Sequence, residues 1–413
     1  MSEVLTFGCR LNALESEIIG RHTAGLANTI ILNTCAVTAE AERQCRRALA
    51  KARRDRPGAD IVVTGCAATI DPARWAALPG VTRVVSNAEK LRSDSWLEPS
   101  PFGRGQGEGL GREQAAPRCP YPNPLPEGEG DRCRARALLD VQRGCDHACT
   151  FCIIPKGRGP SRSLLVADVI ARARALVEAG TNEIVLTGVD LASYRDGEFR
   201  LGDLVRALLK AIPELPRLRL SSLDPAAIDP ALWCALAEAP RLMPHLHLSV
   251  QAGADLILKR MRRRHTRGEA LAAIARARAL RPGLAIGADL IAGFPTETDA
   301  LFDETLAFVE EAAIPYPHVF PYSERPGTPA ARMPAVPPAL RRERAARLRA
   351  AGDRIAAGFH AGFVGQTVRV IAERGERGHT DHFTPVRLRA SHPQGAITRV
   401  PVLAADAAGL EAG

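Results

Sequence analysis

The chain reads as an α/β protein: an N-terminal open parallel α/β domain over residues 1–97, a Pro/Gly-rich linker over 98–132, a central (βα)6 partial barrel over 133–355 and a small C-terminal β-barrel over 356–413. Three observations predict this. Short β-branched apolar runs alternate with amphipathic helical patterns through the N-terminal and central regions, as parallel βα units require. After about residue 366 the helical period gives way to short strand patterns broken by Gly, His and Pro. Residues 98–132 are dense in Pro and Gly and almost free of large apolar side chains, so they cannot bury a core.

Composition sets the wider bounds. With 413 residues and 46% hydrophobic content the chain can build two or three real cores. No apolar run reaches the length of a membrane span and Met1 leads straight into a strand-like Val4-Leu5-Thr6-Phe7, so a cytoplasmic protein without membrane attachment is expected. Ten cysteines in such a chain favour metal or redox sites over disulfides. The formal charge of 55 − 46 = +9 points to a polyanionic partner, because each neutralised phosphate releases counterions.

The N-terminal region repeats a single arrangement three times: a β-like run, a cysteine, then a helical run. Leu5-Thr6-Phe7 leads to Cys9, Ile30-Ile31-Leu32 to Cys35, and Ile61 to Thr64 to Cys66. Loops that follow the strands of an open parallel sheet gather at its carboxyl edge, so these cysteines should converge. The second helix has Thr38 as N-cap, Glu40 and Glu42 in its first turn and a basic C-terminal half, and its apolar stripe places Cys45 in the core. Within the linker, Gly103 to Gly111 lacks the following Lys-Ser/Thr of a phosphate loop, and Cys119 and Cys133 carry no expected role.

The central region alternates six times, with strands expected at 138–142, 183–187, 218–221, 245–250, 285–291 and 318–320. Just after the first of these comes Cys145-Asp146-His147-Ala148-Cys149-Thr150-Phe151-Cys152, a C-x3-C-x2-C loop. Three thiolates this close suit three irons of a [4Fe–4S] cube and leave the fourth iron open to a small molecule. A structural zinc would want four closed ligands, and His147 sits too tightly within the loop to complete a tetrahedron easily. Other strand ends carry Gly188-Val189-Asp190, Ser221-Ser222, Gln251-Ala252-Gly253 and Gly293-Phe294-Pro295, where ligand contacts or simple tight turns are both open readings. Cys234 lies in an apolar helical run and is expected in the core. Two basic stretches follow, Lys259 to His265 with Arg260, Arg262, Arg263 and Arg264, and Arg341 to Arg354; the C-terminal region adds Arg369, Arg387 and Arg389 as candidates for phosphate contact.

Together these residues resemble a known family. A C-x3-C-x2-C loop on the first strand of a six-unit barrel is similar to the radical S-adenosylmethionine superfamily. Cys9 in Phe-Gly-Cys-Arg-Leu-Asn, Cys35 in Asn-Thr-Cys-Ala-Val-Thr and Cys66 in Val-Thr-Gly-Cys resemble the N-terminal domain of its methylthiotransferases, and the C-terminal strands resemble their RNA-binding TRAM domain. The runs Asn33 to Gln44, Arg241 to His247 and Gly287 to Thr298 are most similar to members acting on threonylcarbamoyladenosine in tRNA. The linker departs from the family pattern.

That resemblance implies an enzyme with two [4Fe–4S] clusters, one on Cys145, Cys149 and Cys152 that cleaves S-adenosylmethionine to a 5′-deoxyadenosyl radical, and one on Cys9, Cys35 and Cys66 that supplies sulfur. It implies S-adenosylmethionine contacts from Gly188, Val189, Asp190, Gln251, Gly287, Asp289, Gly293 and Pro295, and a reductant such as flavodoxin or ferredoxin. The expected product is the 2-methylthio derivative of the modified adenosine next to the anticodon. Isopentenyladenosine in tRNA or a ribosomal-protein aspartate are rival targets, and the Arg-rich C-terminal region favours RNA. A non-catalytic iron–sulfur RNA-binding protein is a further rival, disfavoured because structural metal sites tend to be closed. Oligomeric state is left open.

Overall fold

The computed structural model describes residues 2–96 and 135–413, so the linker expected at 98–132, with Cys119 and Cys133, lies outside the described residues. The chain divides into two units, Met1–Pro124 with Lys156–Arg158, and Leu125–Pro155 with Gly159–Gly413.

The first unit is a four-stranded, all-parallel sheet in sequential order, β1 (Glu3–Thr6), β2 (Thr29–Thr34), β3 (Asp60–Gly65) and β4 (Val81–Val84). Every residue of β2 is buried, as a central strand covered on both faces must be. Helix α1 (Arg10–His22) follows β1 and α2 (Ala39–Asp55) follows β2. Ile19 of α1 packs with Ile31, Val62, Val85 and Trp96, each burial contributing roughly 1.5–3 kcal/mol. Thr38 caps α2 by accepting from the Ala41 amide at 3.1 Å, and Cys45, Leu49 and Ala52 form its buried stripe, as expected. Helix α3 (Cys66–Ile70) begins directly at the end of β3.

In the second unit β5 (Ala137–Arg143) pairs antiparallel with the two-residue β6 (Arg162–Ser163) and parallel with β7 (Glu183–Gly188), which pairs in turn with β8 (Arg217–Leu220). A second parallel sheet joins β9 (His245–Gln251), β10 (Ala285–Ala292) and β11 (Tyr316–Pro321). Parallel bridges Leu218–Leu242 and Leu223–Leu248 carry the ladder from one sheet to the next, so the six expected strands form one curved wall in chain order. Side chains alternate along it. Leu139, Val141, Ile184, Leu186, Leu218, Leu220, Leu246, Leu248, Ile286 and Ala288 join the core with helix residues such as Leu204, Leu208 and Ile274. Asp140, Gln142, Arg217, Arg219, His245, His247 and Asp289, at the alternate positions, take the opposite, inner face.

The amino-terminal end of this wall is filled. Fully buried Glu183 pairs with Arg217 at 2.7 Å and Arg219 at 3.0 Å, and Arg217 also donates to the Thr380 carbonyl at 2.8 Å. Thr380 ends β13 (Arg377–Thr380) of a closed barrel ordered β12 (Thr367–Ala372), β13, β14 (Pro385–Leu388), β16 (Gly409–Ala412), β15 (Ile397–Asp406). Phe383, in left-handed backbone at φ +67°, lies under the guanidiniums of Arg136 and Arg219 at 4.9 and 5.0 Å. The sequence pattern suggests three strands here, Thr367 to Ile371, Thr384 to Leu388 and Ile397 to Val402, and the barrel adds β13 and β16 to them.

Two expectations change. Cys234 is exposed, because Leu232, Trp233, Ala235 and Leu236 take the buried stripe of helix Pro230–Glu238. In helix Pro338–Ala361, Arg341 and Arg344 are buried: Arg341 donates to the carbonyls of Val336 and Tyr322 at 2.6 and 3.1 Å, and Arg344 pairs with Glu297 at 2.8 Å. These two arginines hold the fold.

Candidate metal centres

Each thiol expected in the first unit sits at the carboxyl end of a strand: Cys9 after β1 as the N-cap of α1, Cys35 directly after β2, and Cys66 directly after β3 as the first residue of α3. Cys35 feels the charge of both Cys9 and Cys66, and a Cβ on Gly8 would overlap the Sγ of Cys35, so the loops of Cys9 and Cys35 touch. Donors point at the sulfurs: the Val37 amide at 3.4 Å from Cys35 Sγ and the Asn87 side-chain amide at 3.5 Å from Cys66 Sγ. Cys35 and Cys66 are buried and Cys9 is exposed.

Beneath them lies a buried ionic network that the sequence did not reveal. Glu15, 1% exposed, accepts from Arg158 at 2.5 and 3.0 Å and from Lys90, wholly buried, at 2.6 Å. Arg158 also reaches Asn12 Oδ1 at 2.6 Å, and Lys90 reaches Asn33 Oδ1 at 3.2 Å. Burial pulls the Lys90 ammonium below its ordinary range, against the attraction of Glu15. Two cations against one acid leave positive charge next to three thiols. The available signal was a Lys and a Glu inside otherwise buried patterns, but their pairing is set by distant stretches of the chain.

In the second unit Cys145, Cys149 and Cys152 are all half-buried, in the loop that leaves β5. The Cys145 amide donates to Gly159 O at 3.1 Å and the Cys152 amide to Cys149 O at 3.1 Å. The His147 amide lies 3.4 Å from Cys145 Sγ, and Arg263 Nη1 3.8 Å from Cys149 Sγ. Gln142, at the end of β5, fastens the loop: its amide nitrogen donates to Gly144 O and Ser161 Oγ, both at 2.9 Å, and its oxygen accepts from the Asp190 amide at 2.8 Å. Asp190 in turn lies 2.7 Å from His147 Nε2. Thr150 donates to Arg260 O at 2.8 Å, and Phe151 meets Phe294 edge-on at 6.4 Å.

Three of the six thiols directly follow a glycine with positive φ, namely Gly8 at +90°, Gly65 at +96° and Gly144 at +70°. A Cβ at Gly65 would overlap the Thr34 backbone, and one at Gly144 would overlap Pro160 O. Only glycine lets the chain turn there and present the next sulfur. The recurring Gly-Cys pair is the local sequence signal for this turn.

Burial pushes the thiols of Cys35 and Cys145 up to about 11 and that of Cys152 up to about 12. Neighbouring thiols add to the rise. A bound cation that takes up thiolate charge offsets this burial, which is how iron–sulfur ligation works. Backbone N–H groups aimed at sulfur, helix N-termini at Cys9 and Cys66, and cations at Lys90, Arg158 and Arg263 all favour that state, so both trios fit [4Fe–4S] clusters.

The expected cofactor residues occupy the strand ends: Gly188 ends β7 and leads to Val189 and Asp190, and Gly293 and Pro295 flank Phe294 after β10. Gln251 ends β9 in left-handed backbone at φ +73°, a strained conformation for a non-glycine residue. Gly287 and Asp289 lie mid-strand in β10, where Asp289 is engaged by His247 and His318. The expected RNA-contacting residues divide. Lys259, Arg262 and Arg387 are exposed, and Arg389 is exposed while paired with Glu411 at 3.0 Å. Arg369 pairs with Asp381 at 2.8 Å, Arg260 donates to Thr296 Oγ1 at 2.7 Å, and Arg264 pairs with Asp224 at 3.1 Å. The Arg263 side chain is 8% exposed and donates to Ser249 O at 2.6 Å, so it faces Cys149 instead of solvent. Although burial works the other way, His265, Arg263 and Arg264 hold the Asp224 carboxyl well below the usual carboxylate range.

Profiles of two families match the chain, the Radical SAM superfamily over residues 139–309 and the uncharacterized protein family UPF0004 over residues 2–86. The chain is 43% identical to the threonylcarbamoyladenosine tRNA methylthiotransferase MtaB of Rickettsia prowazekii over 94% of its own length and 91% of that protein. It is 33% identical to the Bacillus subtilis protein of the same name, covering 97% and 93% of the two. An Anaeromyxobacter tRNA-2-methylthio-N(6)-dimethylallyladenosine synthase is 36% identical over 98% of this chain and 93% of its own length. Among solved structures, the radical S-adenosylmethionine methyltransferase TsrM of Kitasatospora setae shares the fold, with a TM-score of 0.53 at 14% identity, over 78% of this chain and 66% of that longer one.

Proposed function

The chain belongs to the radical S-adenosylmethionine methylthiotransferase family, and from that premise we propose that it converts N6-threonylcarbamoyladenosine, next to the anticodon of tRNA, to its 2-methylthio derivative. The observation that carries this reading is the pair of three-thiol sites at strand ends, one in each unit, in a chain 43% identical to a protein of that activity. Cys145, Cys149 and Cys152 would hold one cluster and Cys9, Cys35 and Cys66 the other. When bound, the clusters and S-adenosylmethionine supply reductive C–S cleavage and the transferred sulfur.

The chain's own residues do the placing. Gln142 and Asp190 tie the thiol loop to the Gly188–Val189 turn, so whatever binds that turn is registered against Cys145. Gln251, Gly293 and Pro295 lie at the carboxyl ends of β9 and β10, where they would add contacts to the same cofactor. Arg263 sets positive charge on Cys149, and Phe294 against Phe151 keeps water from one side of the loop. Exposed Lys259, Arg262 and Arg387 suit tRNA phosphates, and a flavodoxin- or ferredoxin-class protein would deliver the electron. The enzyme would work in the cytoplasm; no described helix is long and apolar enough to cross a membrane.

Nucleoside analysis of tRNA from a strain lacking the protein tests the reading. Loss of the methylthio form of threonylcarbamoyladenosine, with unthiolated threonylcarbamoyladenosine accumulating, is expected. Loss of the methylthio isopentenyl nucleoside would move the assignment to the activity of the Anaeromyxobacter relative.

A further inference from the structure

We infer that His247, Asp289 and His318 form a third metal site, for a single divalent ion of the zinc class, separate from both thiol trios. The three residues come from the adjacent strands β9, β10 and β11, on the inner face opposite the helix-covered core. His247 Nε2 lies 3.1 Å and His318 Nδ1 3.0 Å from Asp289 Oδ1, and the three ligand atoms all fall within 4.8 Å of one another. Donors held at ~2.0–2.1 Å by one ion, at angles from octahedral to tetrahedral, lie roughly 2.9–3.4 Å apart. Both separations to Asp289 Oδ1 are in that range, and the two imidazole nitrogens lie within 4.8 Å of each other.

The surroundings support a ligand set. Asp289 Oδ2 accepts from Ser222 Oγ at 3.2 Å, the kind of outer hydrogen bond that orients a ligating carboxylate. A Cβ on Gly287 would overlap His247 Nδ1, so glycine at that position makes the room in which the ring turns its Nε2 toward Asp289. No thiol belongs to the group, which excludes a soft iron–sulfur site and suits an ion that accepts imidazole and carboxylate together. The side chain of His318 is 63% exposed, so one side of the ion would remain open, as in sites that bind a water or a substrate oxygen.

The test uses the full chain with both clusters reconstituted, equilibrated against buffered zinc, with zinc and iron per chain counted by mass spectrometry. The wild type should take up one zinc per chain with no loss of iron. His318→Ala and Asp289→Asn should keep their iron and weaken zinc binding by more than the roughly 10–100-fold that losing a mere outer-shell partner produces. Zinc-edge X-ray absorption of the wild type gives a reading that does not depend on how the variants fold: a nitrogen/oxygen shell with imidazole scattering is expected. A sulfur shell, no zinc uptake by the wild type, or equal uptake by all three proteins would overturn the site.

Discussion

Replacing Glu15 by Gln keeps the shape of the buried network and removes the acid at its centre. Glu15 is 1% exposed and holds Arg158 at 2.5 and 3.0 Å and Lys90 at 2.6 Å, so the variant takes the counter-charge from two buried cations at once. Breaking a buried pair from one side costs about 3–5 kcal/mol, and two affected cations place this case toward the upper end. Helix α1 carries Glu15 and starts at Cys9, so the loss should appear as easier opening of that helix. Hydrogen exchange of the peptide spanning Arg10–His22 measures it directly. At about 1.4 kcal/mol per tenfold, protection should fall roughly 150- to 4,000-fold. Adding Lys90→Met to Glu15→Gln removes one of the two cations and should restore some of the protection, a coupling of about 0.5–3 kcal/mol. Protection within threefold of wild type in Glu15→Gln would refute the reasoning, because the network would then carry no stability.

Other consequences concern the C-terminal barrel and the thiol loops. Glu373, paired with His379 at 3.1 Å and also with Arg136, is held down to about 2 from an ordinary 4.5 by the His379 hydrogen bond above all. A depressed carboxylate stabilises above its unfolded pKa and loses that contribution as pH falls through its folded one. Wild type should therefore lose on the order of 1 kcal/mol, after solvent screening of this half-buried pair, between about pH 4.5 and 2 that Glu373→Gln does not lose; unfolding free energies from urea titrations that fall in parallel over that window would contradict it. Gly144→Ala forces a side chain into φ +70° against Pro160 O, and about 1–2 kcal/mol of strain carried into the transition state should slow release of 5′-deoxyadenosine roughly 5- to 30-fold. An unchanged rate by chromatography would show that the turn does not place Cys145. Gln142→Leu leaves the Asp190 amide without its partner, at about 1–3 kcal/mol, and should raise the KM for S-adenosylmethionine more than it lowers kcat.

The strands and the close spacing of Cys145, Cys149 and Cys152 were legible because both signals are local. β-branched runs mark strands wherever they fall, and C-x3-C-x2-C needs no knowledge of the rest of the chain. The fold class followed from the alternation, and the bridges from Leu218 and Leu223 show that the six strands curve as one wall. What stayed hidden was pairing across sequence distance. Arg158 follows Cys152 closely yet makes its ion pair with Glu15, 143 positions away, and nothing in a charge pattern selects that partner. Arg263 read as one member of a basic run until its guanidinium proved to lie against Asp224 and Cys149. Cys234 was misplaced for a related reason: an apolar helical stretch has more hydrophobic residues than buried positions, and its neighbours claimed them.

The central claim is a division of labour between two thiol trios, and the most direct measurement assays both half-reactions in two single variants. Reconstituted Cys149→Ala and Cys35→Ala are given S-adenosylmethionine, reductant and tRNA carrying threonylcarbamoyladenosine, and 5′-deoxyadenosine and the methylthio nucleoside are quantified together. Cys149→Ala should form neither product, whereas Cys35→Ala should still release 5′-deoxyadenosine while leaving the nucleoside unthiolated. Thiolation by Cys35→Ala, or loss of cleavage in both variants alike, would contradict the account.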